Sequence, residues 1–287
     1  MNGWLIYAKE DAIRNKHYID WVIAEGKKLN LTIHLRYREQ FLLKIETHRL
    51  SVSYEGQTVS LPDFAIVRTL DPFFSKQLEF LGIPIFNSSF VSEICNDKGR
   101  THQYLAQANI PMVDTLFFPL EIPEPHSITF DYPFIVKGAK GRGGKEVYLV
   151  TSEHEFENCV QKLENQEVIV QKLAGTIGKD IRVFVIGKEI IAAVLRSSNS
   201  DFKANFTLGG EATLYELSDK EKSLIDRIIN MFDFGLVGID FLLDEHGDLL
   251  FNEIEDVVGS RTLSATSSIN IVELYLKFIM RRLNEIG

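Results

Sequence analysis

The segment from Gly235 to Glu255 constrains the fold of this chain most strongly, because it joins two short apolar runs through a turn-forming sequence. Residues 236–243 and 249–255 are rich in apolar side chains, and Asp-Glu-His-Gly-Asp separates them. Short apolar runs on either side of such a sequence are typical of two antiparallel strands. The segment therefore predicts a β-hairpin with its turn at His246–Gly247.

The register of this hairpin decides where its carboxylates lie. The predicted turn places Asp240 opposite Glu253, and Glu255 shares their face because side chains alternate between the faces of a strand. Opposed like charges destabilise a bare sheet, whereas a hard divalent cation such as Mg²⁺ would stabilise them. The face is therefore either a metal site or a solvated acidic surface. The other face presents core side chains, namely Ile239, Phe241, Leu243, Leu250 and Ile254.

The overall composition limits the classes of protein to which the chain can belong. With 287 residues it can bury a full core, as one large domain or as a few small ones. Its content of 45% hydrophobic and 25% charged residues is ordinary for a soluble globular protein. The formal net charge of −9 argues against non-specific nucleic-acid binding, which requires a basic surface.

Cysteine content and hydropathy favour a cytoplasmic protein without a membrane partner. Cys95 and Cys159 are far apart and lack the spacing of a metal site, which is typical of a reduced protein. The apolar run Trp4–Ala8 is too short for a signal peptide, and no run reaches membrane-spanning length.

The chain up to about residue 90 alternates strands with helices, as an α/β unit does. The hydrophobic periodicity predicts strands at 4–8, 31–37, 64–68 and 83–86, and helices at 14–29 and from Asp71–Pro72 to 81.

The rest of the chain predicts a helix at 92–108 that includes Lys98, and an irregular connection over the proline-rich residues 119–133. Further strands are expected at 134–137, 146–150, 168–171, 180–186 and 189–195, and further helices at 219–232 and 269–283.

A basic glycine-rich loop, Gly138–Lys145, lies between two of these strands. Glycine permits positive φ angles and close backbone approach, so Gly141, Gly143 and Gly144 could direct N–H groups at phosphate oxygens. The loop is not a P-loop, because Glu146 stands where Ser or Thr is required. It is either a flap over phosphates or an ordinary surface hairpin.

Several charged side chains have two interpretations. Lys137 ends an apolar strand and Lys98 lies on a helix, and each is either a surface cation or a ligand. Asp180 and Arg182 share one strand face, and Arg196 ends the partner strand. They form a cross-strand ion pair, or the arginines stabilise a transferring phosphoryl group and an oxyanion.

More than half of the chain, residues 96–259, contains four motif blocks, which are Asn96–Thr101, Phe134–Gly144, Val170–Gly210 and Gly238–Glu255. In content and order these blocks resemble the ATP-grasp carboxylate–amine ligases, and they are most similar to the RimK-type α-L-glutamate ligases. The third block is the most specific of the four.

The resemblance implies an α/β (α+β) ATP-grasp fold in three parts. An N-terminal Rossmann-like pre-ATP-grasp domain would span residues 1–91. A central ATP-grasp subdomain with the glycine-rich flap would span 92–172, and a C-terminal subdomain with the Mg²⁺ site would span 173–287, the two gripping ATP between them.

The resemblance also implies roles for individual residues. Mg²⁺, or Mn²⁺ in its place, would be held by Asp240, Glu253 and Glu255. The catalytic side chains would be Arg182, Arg196 and Asn205. The nucleotide would contact Lys98, Lys137, Gly141, Gly143, Gly144, Lys203 and Asn205 around its phosphates, Asp180 near its ribose, and the backbone around Gln171, Lys172 and Leu173 at its adenine.

This chain departs from the family pattern at the third metal ligand, which is ordinarily Asn and is here Glu255. A carboxylate is still a hard oxygen donor, so activity is compatible with the change. Beyond it, Arg261 beside Ser260 is expected to clamp a substrate carboxylate, since guanidinium binds carboxylate in a bidentate manner. The alternative is that Arg261 caps local backbone groups.

The implied function is ATP-dependent ligation of a carboxylate to an amine through an acyl phosphate. The substrate would be an amino acid such as glutamate, or a small peptide. One alternative is an ATP-grasp enzyme that modifies a ribosomal peptide or a protein side chain. Another, which Glu255 favours, is a catalytically silent nucleotide-binding regulatory protein. Similar ligases are commonly dimers or tetramers, so a homo-oligomer is compatible with the resemblance.

Overall fold

The chain folds as mixed α/β structure in three consecutive regions, each built around its own main sheet. The computed structural model describes residues 1–118, 125–141, 143, 146–163, 166–198 and 210–286. Gly144, Lys203 and Asn205, which the sequence suggested as site residues, lie outside this described part.

The N-terminal region contains a four-stranded parallel sheet of order β2-β1-β6-β7, as its strand–helix alternation predicts. Its elements in chain order are β1 (Asn2–Tyr7), α1 (Lys9–Arg14), α2 (Lys16–Lys28), β2 (Thr32–Tyr37), β3 (Phe41–Glu46), β4 (Arg49–Tyr54), β5 (Gln57–Thr58), β6 (Phe64–Val67), α3 (Pro72–Phe80) and β7 (Ile85–Phe86). The small antiparallel sheet β3-β4-β5 was not predicted. Asp71 caps α3 by accepting a hydrogen bond from the Phe74 amide.

The central region is an antiparallel sheet of order β10-β9-β11-β8 with its own apolar core. Its elements are α4 (Ser89–Cys95), α5 (Lys98–Ala106), β8 (Thr115–Phe118), β9 (Phe134–Gly138), β10 (Val147–Val150), α6 (Glu153–Lys162) and β11 (Val168–Lys172). The buried side chains Phe134, Val136 and Phe156 belong to this core.

The prediction of one continuous helix at 92–108 is wrong, because the segment forms two helices. Asp97 has an extended backbone conformation, and its side chain accepts a hydrogen bond from the Arg100 amide at 3.0 Å. Asp is a favoured N-cap residue, so the chain begins a new helix at this point. The break makes Lys98 the first residue of α5.

The C-terminal region is a five-stranded antiparallel sheet of order β14-β13-β12-β15-β16. Its elements are β12 (Lys179–Ile186), β13 (Glu189–Ser197), β14 (Glu211–Tyr215), α7 (Asp219–Asn230), β15 (Leu236–Leu243), β16 (Leu249–Glu255), α8 (Arg261–Thr266) and α9 (Ile271–Ile286). The predicted hairpin is therefore present as β15 and β16.

The hairpin has the predicted register at its acidic positions, since Asp240 pairs with Glu253. A register shift follows between Asp240 and Phe241, which pairs with Phe251. The prediction that Leu250 lies in the core is wrong. Because of this bulge, Phe251 is fully buried, while Leu250 is only half-buried. Local bending of the strand thus replaces one apolar side chain by its neighbour in the core.

The N-terminal and C-terminal regions share one apolar core, to which Leu5, Val22, Phe184, Leu236 and Leu276 contribute. A second core joins α4 and α5 to the C-terminal sheet. Cys95 and Cys159 are free and buried. Among the helices that the structure describes, none combines the length and the apolar character of a membrane span.

Candidate functional site

A cleft of about 380 Å³ collects most of the side chains that the sequence suggested. It is lined by Lys98, Lys137, Gly141, Gly143, Gln171, Lys172, Leu173, Asp180, Arg182, Arg196, Asp240, Glu253, Glu255 and Arg261. Ser260 is buried beside Arg261 and is not among the lining residues. Asn15, Leu242, Asn252 and Thr262 also line the cleft, and the sequence did not suggest them.

Three carboxylates meet on one face of the hairpin, as its alternation predicts. Asp240, Glu253 and Glu255 each offer an oxygen, and these oxygens lie within 4.8 Å of one another. Asp240 is buried, and the two glutamates are half-buried. Three hard oxygen donors at this separation fit Mg²⁺ or Mn²⁺.

Arginines from the neighbouring strands neutralise this acidic face. Arg182 donates to both oxygens of Asp240 at 2.7 and 2.6 Å and lies 3.0 Å from Glu255. Arg196 binds Asp180 in the same bidentate manner and also reaches Asp240 at 2.8 Å. The carboxylates are therefore compensated by cations of the chain itself, an arrangement that neither the metal site nor the solvated acidic surface suggested by the sequence included.

The charge of Asp240 is maintained by these arginines. Burial alone would raise the pKa of this carboxyl, but Arg182 and Arg196 outweigh it and lower the pKa to about 2. Burial and the charge of Asp240 would raise the pKa of Glu253, but Lys98 and Lys137 together outweigh them and lower it. The hairpin thus remains anionic at neutral pH and can still offer oxygens to a metal ion.

Two buried lysines extend the polar surface from the hairpin to the central sheet. Lys98 Nζ lies 3.1 Å from Glu253 and donates to the Gly141 carbonyl. Lys137 Nζ donates to Asn252 Oδ1 at 2.9 Å. Burial lowers the pKa of Lys137 to about 8, with Lys98 adding to the effect and Glu253 opposing it. Both ammonium groups are available to an anion that enters the cleft.

Hydrogen bonds fix the side-chain amide of Gln171 in one orientation. The Lys98 carbonyl can only accept, so His102 Nδ1, at 2.7 Å, carries a proton and the neutral ring leaves Nε2 as an acceptor. Gln171 Nε2 donates to His102 Nε2 and to Thr115 Oγ1, at 3.0 Å each. Thr115 in turn donates to the Val113 carbonyl.

This orientation leaves one atom of the amide, Gln171 Oε1, as a buried hydrogen-bond acceptor without a partner among the described residues. Gln171 Oε1 is inaccessible to solvent and has no hydrogen bond within the described part of the chain. Gln171 itself lines the cleft. Leaving such an acceptor unsatisfied costs about 1–3 kcal/mol, which a hydrogen-bond donor that reached it would recover. The sequence suggested only backbone contacts at this position.

Two glycines of the glycine-rich loop, Gly141 and Gly143, lie in the described part of the chain. A Cβ atom on Gly141 would lie 2.5 Å from Glu146 Oε2, and Gly143 has a φ of +63°. The Gly141 amide donates to the Gly138 carbonyl at 3.1 Å. Gly141 and Gly143 both line the cleft, and Gly143 has a backbone conformation that residues with side chains rarely adopt.

Lys172 and Arg261, two further residues that the sequence suggested, have different surroundings in the structure. The Lys172 side chain pairs with Asp114 at 2.6 Å, and the Lys172 amide donates to the Asp114 carbonyl. Its side chain is thus engaged with Asp114. Arg261 is exposed at the first position of α8.

Comparisons with known proteins identify the family to which the chain is similar. The model of the RimK-like ATP-grasp domain matches residues 95–279. The uncharacterized protein MG011 of Mycoplasma genitalium is 30% identical over 96% of this chain and 90% of its own length. A probable alpha-L-glutamate ligase 1 of Hahella chejuensis is 26% identical over 91% of this chain and 89% of its own.

A solved structure shares the fold over almost the whole chain. It is the ATP-grasp ligase PsnB, complexed with a phosphomimetic variant of its minimal precursor, Mg and ADP. The match has a TM-score of 0.72 at 16% identity and covers 97% of each chain.

Proposed function

The chain belongs to the RimK-like ATP-grasp family, and from this premise we propose that it is an ATP-dependent ligase that joins a carboxylate to an amine. One observation supports the proposal above the others: the same cleft is lined by Gln171, whose side-chain amide has a fixed orientation, and by a carboxylate cluster surrounded by cations. A base with an amino group fits the first, and metal-bound phosphates fit the second.

The nucleotide would bind with its adenine at Gln171 and its phosphates at the lysines. The 6-amino group of adenine can donate to Gln171 Oε1, which is otherwise unsatisfied. Lys98 and Lys137 would neutralise phosphate oxygens. Asp240, Glu253 and Glu255 would hold Mg²⁺, whose chemistry is to neutralise the charge that develops on the phosphates.

The proposed reaction has two steps. A substrate carboxylate oxygen attacks the γ-phosphorus of ATP, the bond from that phosphorus to the β–γ bridging oxygen breaks, and ADP leaves. An amine nitrogen then attacks the acyl carbon of the acyl phosphate, the carbon–oxygen bond breaks, inorganic phosphate leaves, and the nitrogen loses a proton to water. Arg182 and Arg196 would stabilise the negative charge on the transferring group and on the tetrahedral oxyanion.

An amino acid such as glutamate, or a small peptide, is the substrate that we propose. The similarity to a probable alpha-L-glutamate ligase supports this choice. Arg261 lines the cleft and would hold a substrate carboxylate. A test of that role is Arg261→Ala, which should raise the KM for the substrate and leave nucleotide binding unchanged.

The ligase is tested by ADP and phosphate release from Mg²⁺-ATP with pools of amino acids, dipeptides and glutamate-tailed peptides. Release that depends on one pool is expected from the wild-type chain and should be lost in Glu253→Gln. The matched control is Glu189→Gln, which removes an exposed carboxylate paired with Arg281 far along the sequence from the hairpin. Equal release from wild type and Glu253→Gln would contradict the proposal.

A further inference from the structure

A buried arginine in the N-terminal region has no role in the site described above. Arg68 directly follows β6 and is 9% exposed. Its Nη2 donates to the Val258 carbonyl at 2.9 Å, whereas its Nε is buried and has no hydrogen-bond partner in the described part of the chain. Among those same residues, no carboxylate lies within 4.0 Å of the guanidinium. A buried cation without a counter-charge lowers the stability of the fold. Arg68 must therefore either bind an anion or have a structural role that offsets this cost.

Aromatic hydroxyls surround this cation. The guanidinium carbon lies 5.0 Å from the ring centre of Tyr18 and 6.0 Å from that of Tyr7. Ring contacts of this kind partly compensate a cation. The hydroxyl of Tyr18 is also buried without a hydrogen-bond partner among the described residues, and the buried hydroxyl of Tyr7 lies beside the guanidinium. Phenol hydroxyls and guanidinium N–H groups are donors, and together they fit one carboxylate.

The cluster lies against the wall of the cleft. Val258, whose carbonyl Arg68 binds, is followed directly by Gly259, and Gly259 and Thr262 both line the cleft. On the other side Asn15 lines the cleft one helical turn before Tyr18. Val258 is three residues from Glu255, a separation that spans at most about 11 Å of extended chain. Arg68 therefore binds the chain segment that directly follows the acidic hairpin.

We propose that Arg68, assisted by the hydroxyls of Tyr7 and Tyr18, binds the non-reacting carboxylate of a substrate. The inference rests on the proposed ligase function, in which the reacting carboxylate must lie beside Arg182 and Arg196. A carboxylate at Arg68 is consequently a second one, carried by an amino acid or by the end of a peptide. The N-terminal region would in this way select dicarboxylate or peptide substrates.

Binding measurements test the proposal independently of turnover. Calorimetry of the full chain with Mg²⁺ and ADP compares L-glutamate with its two amides, L-glutamine and L-isoglutamine. Wild type should bind L-glutamate about tenfold or more tightly than at least one amide, because a charge-assisted hydrogen-bond pair is lost. The amide whose weaker binding disappears in Arg68→Gln identifies which carboxylate Arg68 holds. Arg68→Gln should abolish the preference, and Arg68→Lys should retain part of it.

The control is Arg38→Gln, which removes another guanidinium of the N-terminal region that lies 4.3 Å from an aromatic ring centre and is paired with Asp71. It should keep the wild-type preference. A purely structural Arg68 would lower the affinity for all three compounds and for ADP alike, and that result overturns the proposal. So does an unchanged preference in Arg68→Gln, or no preference in wild type. Failure of the ligase proposal is seen separately, as absent ADP release with every substrate pool.

Discussion

At the scale of single residues, the orientation of the Gln171 amide explains how a nucleotide base could be selected. Its Nε2 has two acceptors, His102 Nε2 and Thr115 Oγ1, so its Oε1 must be the atom left for a ligand. Adenine has an amino group to donate, whereas guanine has a carbonyl oxygen at the same position. A buried acceptor rejects a ligand that cannot donate.

We expect Gln171→Met to reduce the preference for ATP over GTP by about tenfold or more, because the selective hydrogen bond is lost. Competition binding with the two nucleotides measures this preference. Gln161→Met, which changes an exposed glutamine of α6, is the control and should bind both nucleotides as wild type does. Weaker binding of both nucleotides to the same degree would show that Gln171 has no part in selecting the base.

The stability of the fold should depend on the protonation of His102. Burial lowers the pKa of this imidazole to about 4, with Lys137 and Lys98 acting in the same direction and Glu253 and the Lys98 carbonyl opposing it. Between about pH 6.5 and pH 4 the unfolded chain binds a proton here that the folded chain does not. The contribution of the neutral His102 side chain to the free energy of unfolding is therefore complete above about pH 6.5, and it is lost as the pH falls from about 6.5 to about 4.

We expect the free energy of unfolding of wild type to fall by about 2 kcal/mol more than that of His102→Gln between pH 7 and pH 5. Urea unfolding at both pH values measures the difference. His34→Gln, which changes an exposed histidine of β2, should behave as wild type. An identical pH dependence in wild type and His102→Gln would show that His102 titrates alike in the folded and unfolded chains.

Site residues that follow a local sequence pattern could be predicted from the sequence. Contacts between residues that are far apart in the sequence could not. The acidic face of the hairpin follows from strand alternation over a few residues. The contact of Gln171 with His102 joins positions 69 residues apart, and that with Thr115 joins positions 56 apart. No periodicity reveals such pairs, so the polar network behind the cleft appears only in the folded chain.

At the scale of elements, the ion cluster connects neighbouring strands of the C-terminal sheet. Arg182 on β12 binds Asp240 on β15 and Glu255 on β16, and Arg196 on β13 binds Asp180 and Asp240. Removing one partner from a buried pair leaves uncompensated charge, which costs far more than the pair contributes. The cluster therefore makes the sheet dependent on each of its arginines.

We expect Arg182→Met to lower the free energy of unfolding by about 3 kcal/mol, because Asp240 and Glu255 lose a cation. Urea unfolding at neutral pH is the measurement. The exposed pair of Arg281 with Glu189 provides the control, since Arg281→Met should change stability by less than about 0.5 kcal/mol. If Arg182→Met and Arg281→Met both lowered the free energy of unfolding by a similar, small amount, the charges of the cluster would be screened by solvent.

The elements that the sequence predicted are those with strong local signals. The hairpin was predicted because its turn and its apolar runs are adjacent, and α3 because Asp71 and Pro72 mark its start. The sheet β3-β4-β5 was missed because its strands mix exposed apolar and charged residues, as Leu42, Lys44 and Ile45 illustrate. The break before α5 was missed because residues 96–103 contain no apolar side chain, so no periodicity shows where one helix ends and the next begins, and only the Asp97 cap marks it.

At the scale of the whole molecule, the central sheet is joined to the C-terminal sheet across the cleft by polar contacts. Its apolar core is separate from the cores of the other regions. Across the cleft, Lys137 binds Asn252 and Lys98 binds Glu253, while the Lys98 amide donates to the Ala139 carbonyl at 2.9 Å. A ligand that contacts both sheets would add to these few contacts and would stabilise their arrangement.

We expect Mg²⁺-ADP at about 100 times its Kd to stabilise the folded chain by about 2.7 kcal/mol, which corresponds to a Tm increase of roughly 5–10 °C. Thermal unfolding at increasing ADP concentration measures the shift. Lys137→Met should reduce the shift at a given ADP concentration, because it removes a buried cation from the side of the cleft that belongs to the central sheet. Lys162→Met, which changes an exposed lysine of α6 in the same region, should keep the full shift. If Lys137→Met also keeps it, the nucleotide does not contact the central sheet through this side chain, and the cations of the hairpin side alone would have to hold the phosphates.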